Sequence, residues 1–101
     1  MYHLNGRLTL GENLADAGGL SAAFNAWKRR EAENPAQLLP GLQEYTKEQM
    51  FFMSFGKVWC GKTREAEKLR RLYSDPHSPS AARVMVSLGA YCIFLMCDTN
   101  A

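Results

Sequence analysis

Four prolines, set in two pairs, cut this chain into three stretches: Pro35 and Pro40 lie in one break, Pro76 and Pro79 in the other. Proline has no backbone N–H and its ring clashes with the preceding turn, so neither break can sit inside a regular helix. No stretch approaches the ~20 apolar residues of a membrane span; the apolar segment from Val84 to Cys97 covers only 14. What the breaks permit is a small set of short elements. With 47% apolar and 22% charged residues in 101, the composition is globular, and a chain of this length builds at most one modest core.

The first stretch reads as an extended lead-in with a turn at Asn5-Gly6 and a short strand at Leu8-Thr9-Leu10. A helix is expected from Glu12 to about Glu33, because Leu20, Ala23, Phe24 and Trp27 recur at i, i+3, i+4 and i+7. Residues 34–45 form a connector, pinned by Leu38, Leu39 and Leu42. Thr46 with Gln49 is a capping-box pattern opening a helix from Lys47 to about Cys60. Met50, Phe51, Phe52, Met53, Phe55, Val58 and Trp59 make it apolar nearly all round, so burial on most sides is expected, with Gly61 closing it. Thr63 is expected to cap a third helix reaching Tyr73, with Ala66, Leu69 and Tyr73 inward. Ser80 is expected to cap a fourth, from Ala81 through Leu88. A short apolar run, Tyr91 to Cys97, precedes a polar end.

Twelve basic against ten acidic residues leave a formal charge of +2. That is too mild for a nucleic-acid surface, which needs a clustered basic face. No basic start followed by an apolar run is visible near Met1, so these residues predict no signal peptide. Three cysteines, Cys60, Cys92 and Cys97, cannot all pair with one another, so at least one is free, buried or partnered elsewhere.

Two constellations stand out chemically. At ~100° per residue, Glu12, Asp16, Leu20, Ala23 and Trp27 project within one arc of about 80°, placing two acids on the apolar stripe. An ionised group there is costly unless paired or bound to a metal. The alternative is acidic residues near a helix start, where the macrodipole favours them. Gly18-Gly19 follows at once, and close approach of another backbone is one reason for glycine inside a helix. The second constellation is His77 with Arg83, across the proline-stiffened turn. Such a pair can present two donors to a developing oxyanion; the alternative is a turn histidine and a surface arginine.

The segment Leu8-Thr9-Leu10-Gly11-Glu12-Asn13-Leu14-Ala15-Asp16, followed by Gly18-Gly19-Leu20, resembles the third-ligand motif of the neprilysin family of zinc metalloendopeptidases, which includes the endothelin-converting enzymes. Further blocks follow the same pattern: Leu39-Pro40-Gly41-Leu42, Tyr45-Thr46, Glu48-Gln49, Phe51-Phe52, Ser54-Phe55, Val58-Trp59-Cys60, Asp75-Pro76-His77-Ser78-Pro79 and Arg83-Val84. The resemblance covers residues 4–88. It implies a mainly α fold, the helical C-terminal part of a thermolysin-like (gluzincin) catalytic domain, with 89–101 a divergent tail. It also implies Glu12 as a ligand of a catalytic Zn2+, and Asp16 as acceptor for a zinc-bound histidine. His77 would stabilise the tetrahedral intermediate, and Arg83 would hold a substrate carbonyl. Cys60 would pair with a cysteine nearer the whole enzyme's N-terminus.

The departures also carry meaning. The family's other two zinc ligands and its general base come from a His-Glu-x-x-His helix, but this chain has only His3 and His77. Ala17 replaces the family's usual Asn, and the family's terminal Cys-x-x-Trp is missing. The chain alone is therefore expected to be catalytically incompetent, its partners being peptide substrates and the remainder of the peptidase. The resemblance implies an extracellular or cell-surface parent, or a secreted one. The alternatives are a non-catalytic helical binding module and an orphan gene fragment.

Overall fold

The computed structural model describes residues 3–88, and every regular element among them is a helix. In chain order these are α1 (Gly6–Glu33), α2 (Lys47–Val58), α3 (Glu65–Ser74) and α4 (Ser80–Leu88). The mainly α expectation holds. None of these helices is long and apolar enough to cross a membrane. The run Tyr91 to Cys97 lies outside the described residues.

The helix α1 begins earlier than the sequence suggests, and the expected strand at Leu8-Thr9-Leu10 is its first turns. The cause is Asn5, whose side-chain oxygen accepts the backbone N–H groups of Arg7 and Leu8 at 3.2 and 3.3 Å. That satisfies donors a helix start otherwise leaves orphaned. A three-residue strand would need a partner, and none exists among the described residues. At the far end the Asn34 N–H closes onto the Arg30 carbonyl at 2.9 Å, immediately before Pro35. Gly18 and Gly19 stay helical, but a Cβ on either would meet nothing within 4 Å. No close backbone approach among the described residues explains them.

In the connector, Leu39-Pro40-Gly41-Leu42 forms a turn closed by Leu42 N–H donating to the Leu39 carbonyl at 3.1 Å. Pro40 pre-sets the first central position, and Gly41 takes the φ of 83° that the second demands. The capping box is formed as expected: Gln49 N–H donates to Thr46 Oγ1 at 3.1 Å, and Thr46 N–H donates to Gln49 Oε1 at 2.7 Å. The α2 helix ends at Val58, with Trp59 as its cap, rather than at Gly61.

The first two helices are joined by rings. Phe24 lies 5.3 Å from Phe51 and 4.9 Å from Phe52, and Trp27 lies 5.3 Å from Phe51, centroid to centroid. Glu31 also takes Lys47, the first residue of α2, in an ion pair. The last helix, α4, packs against both α1 and α2.

The expected burial of α2 is overturned. No apolar side chain among the described residues is fully buried; Val58 is 75% exposed and Leu14 64%. α2 meets α1 on one side and α4 on another, and Met50, Phe51, Phe52, Met53, Phe55 and Trp59 are left half-buried. Between α1 and α2 runs an open, apolar groove of about 760 Å³, lined by Gly19, Ala23, Trp27, Leu39, Phe51 and Phe55 among others.

The third helix also differs. Arg64, not Thr63, occupies the N-cap, with no side-chain hydrogen bond there. Tyr73 is exposed, as is Ala66, while Leu69 and Leu72 are half-buried. Charge compensates for the missing cap. Glu65 and Glu67 lie in the first turn, where the helix dipole favours acids. Glu67 accepts from Arg70 Nε at 2.7 Å and Nη2 at 2.8 Å, and from Arg71 Nε at 2.7 Å. Arg70, then Arg71, pull its carboxyl down from 4.5 to about 2. A folded-state pKa below the unfolded one stabilises fully above the unfolded value and is lost as pH falls through the folded value. Helicity across α3, followed by residue-resolved NMR shifts, is therefore expected to decline between pH 4.5 and about 2, and Glu67→Gln to remove that part of the acid transition. An unaltered transition in the Gln variant would refute the assignment.

Candidate active site

One face of α1 presents Thr9, Glu12, Asn13 and Asp16, at i, i+3, i+4 and i+7, to the turn before α4 and to α4 itself. The contacts run in register. Glu12 Oε2 lies 3.3 Å from His77 Nε2. Asn13 Oδ1 accepts the Ser78 hydroxyl at 2.8 Å. Asp16 takes Arg83 in a bidentate pair, Oδ2 from Nε and Oδ1 from Nη2, both at 2.6 Å. The structure thus brings together all four site residues expected from the sequence: Glu12, Asp16, His77 and Arg83.

Each is fixed differently. The α1 backbone holds Glu12, whose side chain is 42% exposed and so open to a ligand. The Asp16–Arg83 pair is far more enclosed, at 13% and 12% exposure. The Arg83 guanidinium also sits 3.9 Å from the Trp59 ring centroid, a cation–π contact on its other side. Asp16, by its hydrogen bonds, keeps Arg83 above its ordinary pKa, so the guanidinium is charged throughout the working range.

Sequence reasoning did not single out Asp75. Its Oδ1 accepts the His77 backbone N–H at 2.9 Å and faces His77 Nδ1 at 2.7 Å. A carboxylate can only accept, so Nδ1 carries a proton and Nε2 is the atom turned toward Glu12. The backbone N–H, then the ring, hold the Asp75 carboxyl below its usual range. The available signal was an Asp followed by Pro, two residues before the His, which is an Asx-turn pattern. Trp59 and Asn13 were missed for another reason: their roles depend on contacts distant in sequence.

The donor set suits one corner of a metal site. Glu12 is an accessible carboxylate on a rigid helix, but no three of His, Cys, Asp and Glu among the described residues cluster as a metal site. Cys60, at the end of α2, is disulfide-bonded; Cys92 and Cys97 lie outside the described residues.

Comparison with known proteins shows the family of the chain. The model of Peptidase family M13 matches residues 1–94. The chain is 52% identical over 85 residues to "Endothelin-converting enzyme homolog" of Locusta migratoria, covering 82% of this chain and 11% of that protein. It is 48% identical over 86 residues to "Endothelin-converting enzyme 1" of Rattus norvegicus, 84% of this chain and 11% of that one. "Neprilysin-11" of Caenorhabditis elegans is 42% identical over 104 residues, 99% of this chain and 12% of that one. The chain belongs to Peptidase family M13. It spans 11 to 12% of the length of these relatives. No solved structure matches it.

Proposed function

We propose that this chain forms one wall of the active site of a zinc metalloendopeptidase, supplying one zinc ligand and the groups that steady the substrate's carbonyl. The observation that carries the reading is the approach of Glu12 and His77 across the α1–turn junction, 3.3 Å apart. An accessible carboxylate and an oriented imidazole, side by side, suit metal-assisted peptide hydrolysis. A purely structural helical module would use the open groove, but it would have no use for that juxtaposition.

The roles follow from chemistry. Glu12 contributes a carboxylate oxygen, one of the three protein ligands a catalytic zinc needs. Zinc, when bound, supplies nucleophilic water at neutral pH by lowering its pKa. With both ring nitrogens protonated, His77, held through Nδ1 by Asp75, offers Nε2–H to the oxygen that gains charge as the peptide carbonyl becomes tetrahedral. Asp16 occupies two of the five N–H groups of Arg83, leaving the others for a substrate backbone carbonyl. Both Asp16 oxygens keep a lone pair with which to orient a ligating histidine from the remainder of the peptidase. That remainder also covers the apolar groove. The disulfide at Cys60 suits an extracellular or cell-surface setting.

The test is a graft. Residues 4–88 replace the corresponding segment of the Locusta migratoria relative, which supplies everything else. The hybrid is expected to hold stoichiometric zinc and cleave a quenched fluorescent peptide, with chelation stopping cleavage and zinc restoring it. The chain alone is expected to do neither. A folded hybrid that neither holds zinc nor cleaves would overturn the reading.

A further inference from the structure

We infer that Asn13 is a positioning residue, which sets His77 against Glu12 by clamping Ser78. The inference rests on the zinc-peptidase reading and extends it to a residue that touches neither metal nor substrate. Its basis is a contrast in burial. Among the described residues no apolar side chain is fully buried, yet Thr9 is 1% and Ser78 4% exposed, and these are the two buried polar residues. Both hydrogen-bond to Asn13.

The bonds form a directed chain. Ser78 Oγ donates to Asn13 Oδ1 at 2.8 Å, Asn13 Nδ2 donates to Thr9 Oγ1 at 3.4 Å, and Thr9 Oγ1 donates to the Asn5 carbonyl at 3.4 Å. It ends at Asn5, the N-cap that fixes the start of α1. The enclosed hydroxyl of Ser78 has a strong preference for this partner, because a buried donor left unpaired is costly. Asn13 itself follows Glu12 directly in sequence, and Ser78 follows His77. One side-chain bond therefore ties the two backbones at positions adjacent to the pair that face each other.

The turn transmits this constraint. Pro76 and Pro79 fix φ on either side of His77-Ser78, and Asp75 anchors the His77 backbone N–H as well as its ring. A displacement at Ser78 has little slack in which to relax before it reaches the imidazole. Misplacement of a catalytic donor by about 1 Å can cost on the order of a hundredfold in rate.

The experiment uses the hybrid enzyme with Asn13→Ala, Ser78→Ala, the double variant and Ser78→Thr. Either single Ala substitution is expected to lower kcat by roughly tenfold or more, with KM within about twofold and zinc content unchanged. The double variant is expected to be no worse than the worse single, because both remove the same bond. Ser78→Thr keeps the hydroxyl and is expected to recover most of kcat. Unchanged kcat, losses that multiply, or failure of Ser78→Thr to recover would each overturn the inference. Should the unsubstituted hybrid fold but not cleave, the zinc-peptidase reading fails separately. The unfolding midpoints of the same four variants then decide: non-additive losses leave the clamp standing, and additive losses overturn it.

Discussion

Glu12→Gln is expected to lower kcat/KM of the hybrid enzyme by at least about a thousandfold, roughly 4 kcal/mol of transition-state stabilisation, and to lower its zinc content with it. Gln keeps the volume and helix preference of Glu, so α1 is left intact. What it removes is the negative charge, which a dication draws on in an oxygen ligand far more than its hydrogen-bonding capacity. Because Glu12 is 42% exposed, the neutral side chain has no buried partner to strand, and global stability should change little. Elemental analysis after gel filtration, paired with peptide cleavage, separates the outcomes. Full zinc occupancy with full cleavage in the Gln variant would remove Glu12 from the site altogether.

The face that carries these residues was legible in the sequence because helical geometry is local. A repeat of about 3.6 residues per turn sufficed to place Glu12 and Asp16 beside Leu20, Ala23 and Trp27. The Thr46–Gln49 capping box was equally local and is formed. The start of α1 is harder to read, because the β-type spacing of Leu8-Thr9-Leu10 competes with the Asn5 cap that decides it. The caps and inward face of α3 are not legible from apolar spacing, because exposed charge organises that helix. What no periodicity could show is which groups meet across the chain. Asp16 and Arg83 are separated by 67 positions, and Asn13 and Ser78 by 65, so each pairing is a consequence of how α1 and α4 pack. The expected burial of α2 failed for a related reason. An all-round apolar helix states what it needs, and the described residues leave its large side chains half-buried at best.

Breaking the Asp16–Arg83 pair should distinguish structural from catalytic use of the arginine. Asp16→Ala leaves a guanidinium against Trp59, largely shielded from water, without its carboxylate, and Arg83→Met leaves the carboxylate without its cation. Removing one partner of an enclosed, hydrogen-bonded ion pair costs about 2–4 kcal/mol, because the survivor remains charged and desolvated. Arg83 has no neutral escape, since Asp16 raises its already high pKa. Replacing both, Asp16→Leu with Arg83→Met, removes the stranded charge and fills the space with apolar atoms, so unfolding by urea should show at least half of the lost stability returning. Cleavage should not return with it: Met offers no N–H to a substrate carbonyl, and kcat/KM is expected to stay about a hundredfold or more below the unsubstituted hybrid. A double variant that regains both stability and cleavage would show that the pair only braces α1 against α4. One that regains stability alone gives the pair a use in cleavage beyond bracing α1 against α4.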